Sequence, residues 1–308
     1  YDSVWGNDHY RAPDYVRQLY ATPPRLYDVL VVLSVAAGVT TRVSLGTAVL
    51  VLPLRDLVSV AKQIATLDQI SGGRLLLGVG IGAYREEFEA GKPDWAGKHR
   101  GRILEEGLEL LRRLFQEDRV HFSGEFYRVR DAECFPKPRQ RPFPILVGGH
   151  QLATIDRAVR MGEGWIPGWR PFNELGDWIR RLREQAAAAG RDPSTLIVAP
   201  QFSALVAPTH EEAVRRYRNS GMVQHRKSLA HTGRDPDLAM ENNLIGSPEV
   251  ILEKLEILYE FGVDHLACTT FCAESVGEYI EQLAFFAEEV VRPFRKRHGI
   301  PEPGSPLH

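Results

Sequence analysis

Residues 74–88, Arg-Leu-Leu-Leu-Gly-Val-Gly-Ile-Gly-Ala-Tyr-Arg-Glu-Glu-Phe, pass from a continuous apolar run into a glycine-rich turn and then into charged residues. A strand that is apolar on both faces is covered on both faces, as in parallel α/β sheets. Gly78, Gly80 and Gly82 allow the backbone to approach a planar or anionic group and to adopt φ values that other residues avoid. Arg85, Glu86 and Glu87 are then delivered to the strand's C-terminal end, where parallel α/β folds keep their chemistry. Taken literally, Gly78-x-Gly80-x-x-Ala83 fits a dinucleotide fingerprint, but that motif needs a further strand ending in an acidic residue about 20 residues on. The next 30 or so residues carry no strand pattern and lead into a helix from about 100, so a Rossmann domain does not account for the motif.

The strand-then-helix rhythm recurs along the chain. Residues 43–52 form a second apolar run, and 56–70 have helical spacing with Val60, Ile64 and Leu67 inward and Ser71-Gly72-Gly73 as the stop. Further strands are expected at 1–9, 143–149, 164–170, 196–207 and 264–270. Further helices are expected at 26–37, 100–117, from 151, up to 189, from 210, from a cap at 245–249, and at 276–291. Alternation over 120–129 around Ser123-Gly124 predicts a hairpin that interrupts the rhythm. Seven such units make parallel crossovers, whereas a (β/α)8 barrel has eight. The chain opens on Tyr1-Asp2-Ser3-Val4-Trp5, already inside a strand. The expected fold class is therefore α/β, a TIM (β/α)8 barrel of one domain over 1–298, with its first βα unit missing from this sequence. Insertions are expected at about 118–142 (the hairpin) and 219–243 (a lid), with a loose tail at 299–308.

Charge and cysteines narrow the function classes. Thirty-eight basic against 40 acidic side chains give a net charge of −2, which offers no general attraction to nucleic acid or anionic membranes. Cys134, Cys268 and Cys272 cannot all pair within the chain and match no metal or redox spacing, so a reduced, cytoplasmic protein is expected. No lysine ends a strand, which argues against Schiff-base chemistry. His9, His150 and Asp8 lack the spacing of a metal set, and no metal is expected. One Asp-His pair (Asp8-His9), one Glu pair (Glu86-Glu87), glycine-lined backbone and aromatic walls remain. Such a rim suits a planar cofactor that carries the hard chemistry. Gly148-Gly149 before a helix reads either as a phosphate cradle or as a plain strand–helix turn.

Several runs in order resemble the luciferase-like monooxygenase superfamily: residues 2–9, 42–53, 61–80, 85–88, 123–126 and 146–149. More narrowly, they are similar to its oxidoreductases that use the deazaflavin coenzyme F420. The resemblance implies a tricyclic ring lying against a bulge at Thr47-Ala48-Val49 that contains a non-proline cis peptide. It places the cofactor phosphate at the turn Gly148-Gly149, and Val147, His150, Gly80 and Gly82 are further candidates for cofactor contact. Asp8-His9 is implied to lie beside the ring, with His9 as general base or as a hold on the cofactor's carbonyl. Trp165 is a candidate for ring contact or for packing. One departure stands out: the deazaflavin sugar-phosphate dehydrogenases place a catalytic Glu directly after the glycine turn, where this chain has Ala83. Glu87, one turn further on, is the candidate acid.

The activity so implied is hydride transfer between coenzyme F420 and a small organic substrate. An alternative is an FMN monooxygenase using O₂ and reduced FMN from a separate reductase, since no NAD(P)H-binding domain is encoded. A third is a non-catalytic flavin-binding protein. The expected partners are a small-molecule substrate, a separate flavin or F420 reductase, and a second copy of the chain in a homodimer.

Overall fold

The computed structural model describes residues 1–18, 21–22, 24–223 and 236–301. Its contacts divide the chain into two compact units. One comprises Asp2–Ile166 with Gln185–Ile197; the other comprises Tyr1, Pro167–Glu184 and the chain from 198 onward.

The first unit carries a sheet in the order β1 (Ser3–Gly6), β2 (Ser44–Val51), β3 (Leu75–Gly80), β6 (Ile145–Gly149), β7 (Gly164–Pro167), β8 (Ile197–Val198). The ladders linking β1, β2, β3 and β6 are parallel, with Gly6 opposite Thr47 and Val79 opposite Val147. Buried Leu45, Leu50, Leu75, Leu77, Val79 and Ile145 meet helices α2 (Val29–Val39), α3 (Leu57–Ser71) and α5 (Arg100–Gln116) in one apolar core. Each fully buried leucine or isoleucine there contributes about 1.5–3 kcal/mol.

The helix ends follow their caps. Asp28 accepts from the N–H groups of Leu30 and Val31, so α2 starts after Asp28 and not at Leu26 as the apolar spacing suggests. Asp56 caps α3 through Ser59 N–H, and Gly72, at φ +77°, closes it in the left-handed conformation. The predicted hairpin is β4 (Val120–Ser123) paired antiparallel with β5 (Arg128–Ala132). Its turn is tied to α5 by Glu106, whose carboxylate accepts from the N–H groups of Glu125, Phe126 and Tyr127.

The second unit carries a three-stranded parallel sheet in the order β10 (Leu244–Gly246), β9 (Gln201–Val206), β11 (Ala267–Phe271). Around it lie α8 (His210–Asn219), α10 (Pro248–Glu260) and α11 (Val276–Phe286). Gln282 bridges the N–H and C=O of Val206, and Asn243 accepts from Ser203 N–H.

Two expectations are corrected here. The single strand expected at 196–207 is broken at Ala199-Pro200 into β8 and β9, because proline has no N–H to give a ladder. The start of a helix expected at Ile245 is instead the strand β10, too short at three residues to show a period. The described strands form the six-stranded sheet, the three-stranded sheet and the hairpin, an α/β architecture with parallel ladders in both larger sheets. Of the expected lid, residues 224–235 lie outside the described residues, as do 302–308 of the expected tail. Among the described residues no helix is long and apolar enough to cross a membrane.

Candidate active site

The loop leaving β1 is pinned by Asp8. This carboxylate is only 3% exposed; it accepts from Val51 N–H (3.0 Å) and from the Arg55 guanidinium. Arg55 also pairs with Asp28 at 2.7 Å and lies over the Tyr10 ring, 5.3 Å from its centroid. Burial disfavours the Arg55 cation, but its bonds to Asp8 and Asp28 outweigh burial and raise its pKa. The pairing therefore differs from the sequence expectation: Asp8 is not the partner of His9 but an anchor that ties the β1 exit to the C-terminal end of β2. Asp8→Ala is expected to cost about 1–3 kcal/mol, because it takes the acceptor from the Val51 N–H and leaves the buried Arg55 guanidinium with Asp28 alone, and Asp8→Ala/Arg55→Met to cost less. Urea unfolding of the two variants checks this; equal losses would contradict it.

His9 instead meets Glu87. Glu87 sits in the first turn of α4 (Arg85–Gly91) and is 0% exposed. Its Oε1 lies 3.1 Å from His9 Nδ1 and accepts the Tyr10 N–H at 2.8 Å. Its Oε2 has no hydrogen-bond partner among the described residues. The His9 side chain keeps 28% of its surface exposed. Tyr84 packs beside the imidazole, with centroids 5.6 Å apart, and its hydroxyl meets that of Tyr15 at 3.2 Å. Glu87, expected as an acid, is fully buried behind the His9 ring, with its Oε1 on His9 Nδ1.

The strand that Asp8 ties to the β1 exit carries a bulge just before Val51. Thr47 is paired with Leu77 and Leu50 with Val79, so two residues of β2, Ala48 and Val49, face a single residue of β3. The Ala48–Val49 peptide is cis. Val49 closes over the neighbouring strands: a Cβ on Gly80 would lie 2.5 Å from its Cγ2, and one on Gly148 2.5 Å from its Cγ1. Only glycine fits at either position without moving the bulge. Gly82, at φ +80°, turns the chain out of β3, and Arg100 holds that turn by donating to Gly82 C=O at 3.0 Å while stacking on Phe88. Burial, with Arg85 nearby, lowers the Arg100 pKa.

The other residues singled out in sequence divide by exposure. Val49, Gly82, Gly149 and His150 keep solvent-facing surface, whereas Ala48, Gly80, Val147 and Gly148 are buried backbone supports. Thr47 is buried and spends its hydroxyl on Gly78 C=O at 2.7 Å. Trp165 is 0% exposed and donates from Nε1 to Gly149 C=O at 3.0 Å, so it braces the turn. Arg55, Tyr10 and Tyr84 were not picked out by the sequence reading. Arg55 lies 47 residues from Asp8, and nothing local to either residue announces their pairing. Among the described residues no three His, Cys, Asp or Glu side chains gather as a metal set.

Residues 1–265 match the family model described as luciferase-like monooxygenase. The chain belongs to the luciferase-like monooxygenase family. A protein of Mycobacterium tuberculosis described as uncharacterized is 39% identical to this family member over 161 residues, 52% of this chain and 54% of that one. The FMNH2-dependent dimethylsulfone monooxygenase of Pseudomonas putida is 30% identical over 228 residues, covering 66% of this chain and 63% of that protein. The F420-dependent glucose-6-phosphate dehydrogenase of Kineococcus radiotolerans is 34% identical over 195 residues, covering 62% and 55%. The chain thus spans between about half and two thirds of the length of the curated relatives it matches. Among solved structures, the monooxygenase RslO1 from Streptomyces bottropensis superposes with a TM-score of 0.74 at 25% identity, covering 87% of this chain and 83% of that one. An F420-dependent secondary alcohol dehydrogenase shares the fold, with a TM-score of 0.78 at 22% identity, covering 94% and 90%. The family therefore includes both F420- and FMN-dependent oxidoreductases.

Proposed function

We propose that this luciferase-like oxidoreductase exchanges a hydride between coenzyme F420 and a small alcohol or carbonyl compound. The observation that carries the reading is the His9–Glu87 pair on the loop that Asp8 ties to the bulged strand β2, an acid–base group of the kind that hydride exchange with an alcohol needs. The residues present fit a tricyclic cofactor with a phosphate. Val49 offers an apolar, partly exposed surface for a ring face. Gly148 and Gly149 lead into α6 (Leu152–Met161), whose N-cap residue, Gln151, makes no side-chain cap, and amides at such a turn suit a phosphate. When bound, the deazaflavin supplies a two-electron carrier that reacts poorly with O₂.

His9 takes or returns the substrate's hydroxyl proton at its exposed edge, Tyr84 walls the imidazole, and Asp8 with Arg55 holds the His9 loop in place. The absence of a Glu at position 83 argues against the sugar-phosphate scheme. A second reading, oxygenation with reduced FMN supplied by a separate reductase, is supported by the similarity to the dimethylsulfone monooxygenase. Self-association as a dimer belongs to the same proposal.

Anaerobic titration of the apo-protein with each cofactor, followed by tryptophan fluorescence, tests the choice. Binding of F420 at least about tenfold tighter than FMN is expected. Tight FMN binding with no measurable F420 affinity would reverse the assignment.

A further inference from the structure

We infer that Glu87 is a positioning residue that selects which nitrogen of His9 reacts, fixing Nδ1 as the protonated one and presenting Nε2 to the substrate. The inference deepens the proposed acid–base role of His9 and rests on it for its catalytic meaning. Its structural content stands on this chain's own contacts.

A carboxylate only accepts hydrogen bonds, so a ring nitrogen 3.1 Å from Glu87 Oε1 must carry a hydrogen. In the neutral imidazole the lone pair is then at Nε2. Glu87, at 0% exposure, cannot itself meet a substrate; it acts through the ring. Tyr84, at 5.6 Å, limits the swing of the imidazole, and the Tyr15 hydroxyl meets the Tyr84 hydroxyl. When an alcohol is oxidised, its O–H bond breaks and an Nε2–H bond forms. The Nδ1–H stays on Glu87, and the buried carboxylate faces the imidazolium so produced. The electron pair of the alcohol's C–H bond leaves with the hydride to the deazaflavin acceptor named above. In the reverse direction the Nε2–H returns to the carbonyl oxygen.

The arrangement makes a prediction that differs from the familiar behaviour of catalytic triads. There, changing the orienting Asp to Asn drops turnover by about 10⁴, because an amide NH₂ turns to the ring and imposes the wrong tautomer. Here the atom that meets Nδ1 is the same one that accepts the Tyr10 N–H at 2.8 Å. A backbone N–H always donates, so in Glu87→Gln the amide oxygen, not the NH₂, is held at that place. The glutamine variant should therefore keep the Nδ1–H tautomer, and Glu87→Leu should lose it.

Long-range ¹H–¹⁵N correlation spectra of histidine-labelled apo-protein read the tautomer directly, with His9 assigned by its loss in His9→Asn. The expected result is Nδ1–H for His9 in the wild type and in Glu87→Gln, and a shift to Nε2–H in Glu87→Leu. In turnover, Glu87→Leu should lose about 10²-fold in kcat at unchanged KM, with Glu87→Gln recovering most of it. An Nε2–H tautomer in the wild type, or no change in Glu87→Leu, would overturn the inference. Should Glu87→Leu not fold, the wild-type and Glu87→Gln spectra still decide it. These spectra need no cofactor, so a failed F420 titration would sink the proposed activity without touching the tautomer result.

Discussion

Replacing His9 by asparagine is expected to lower turnover by about 10²–10⁴ while leaving cofactor affinity within about threefold. Asparagine is the informative choice because its amide NH₂ can still donate to Glu87 Oε1, so the buried carboxylate keeps a partner where alanine would remove it. What asparagine lacks is a basic nitrogen at the exposed edge of the ring. The loss therefore reports proton transfer and not the collapse of the loop, which is held separately by Asp8 through Val51 and Arg55. Steady-state assays of an alcohol and carbonyl panel with F420, run on the wild type and on His9→Asn, measure the ratio. A variant with near wild-type kcat would remove His9 from the chemistry.

Much of the frame was legible in the sequence because it rests on local chemistry. Continuous apolar runs gave β2 and β3, Gly72 marked the end of α3, and alternation about Ser123-Gly124 gave the hairpin. What escaped depends on partners distant in sequence or on very short elements. β10 has three residues and takes its identity from pairing with β9. The site residues His9 and Glu87 were each visible, one after an aromatic strand and one after a glycine turn, but their pairing spans 78 positions. Adjacency in sequence suggested Asp8 as the partner of His9, yet the Arg55 cation and the Val51 amide draw that carboxylate into the interior. For Trp165 the sequence left ring contact and packing both open; its indole N–H is used on Gly149, a partner 16 residues away.

The bulge provides the second large effect, and it bears on the claim that a tricyclic cofactor binds against Val49. A methyl group on Gly148 would stand 2.5 Å from Val49 Cγ1, and Val49 cannot rotate away freely because its other methyl already covers Gly80 at the same distance from a built Cβ. Valine is branched at Cβ, so relief requires a poor rotamer or a displaced bulge, at about 1–3 kcal/mol. The Val49 surface and the Gly148-Gly149 turn, proposed to meet the ring and the phosphate, move together, with Val79 C=O, 3.3 Å from the added methyl, limiting retreat toward the sheet. The direct measurement is the F420 dissociation constant of wild type and Gly148→Ala, each checked for native far-ultraviolet circular dichroism. The account predicts at least about 30-fold weaker binding in the variant, equivalent to about 2 kcal/mol. Folded Gly148→Ala that binds F420 as tightly as the wild type would contradict it.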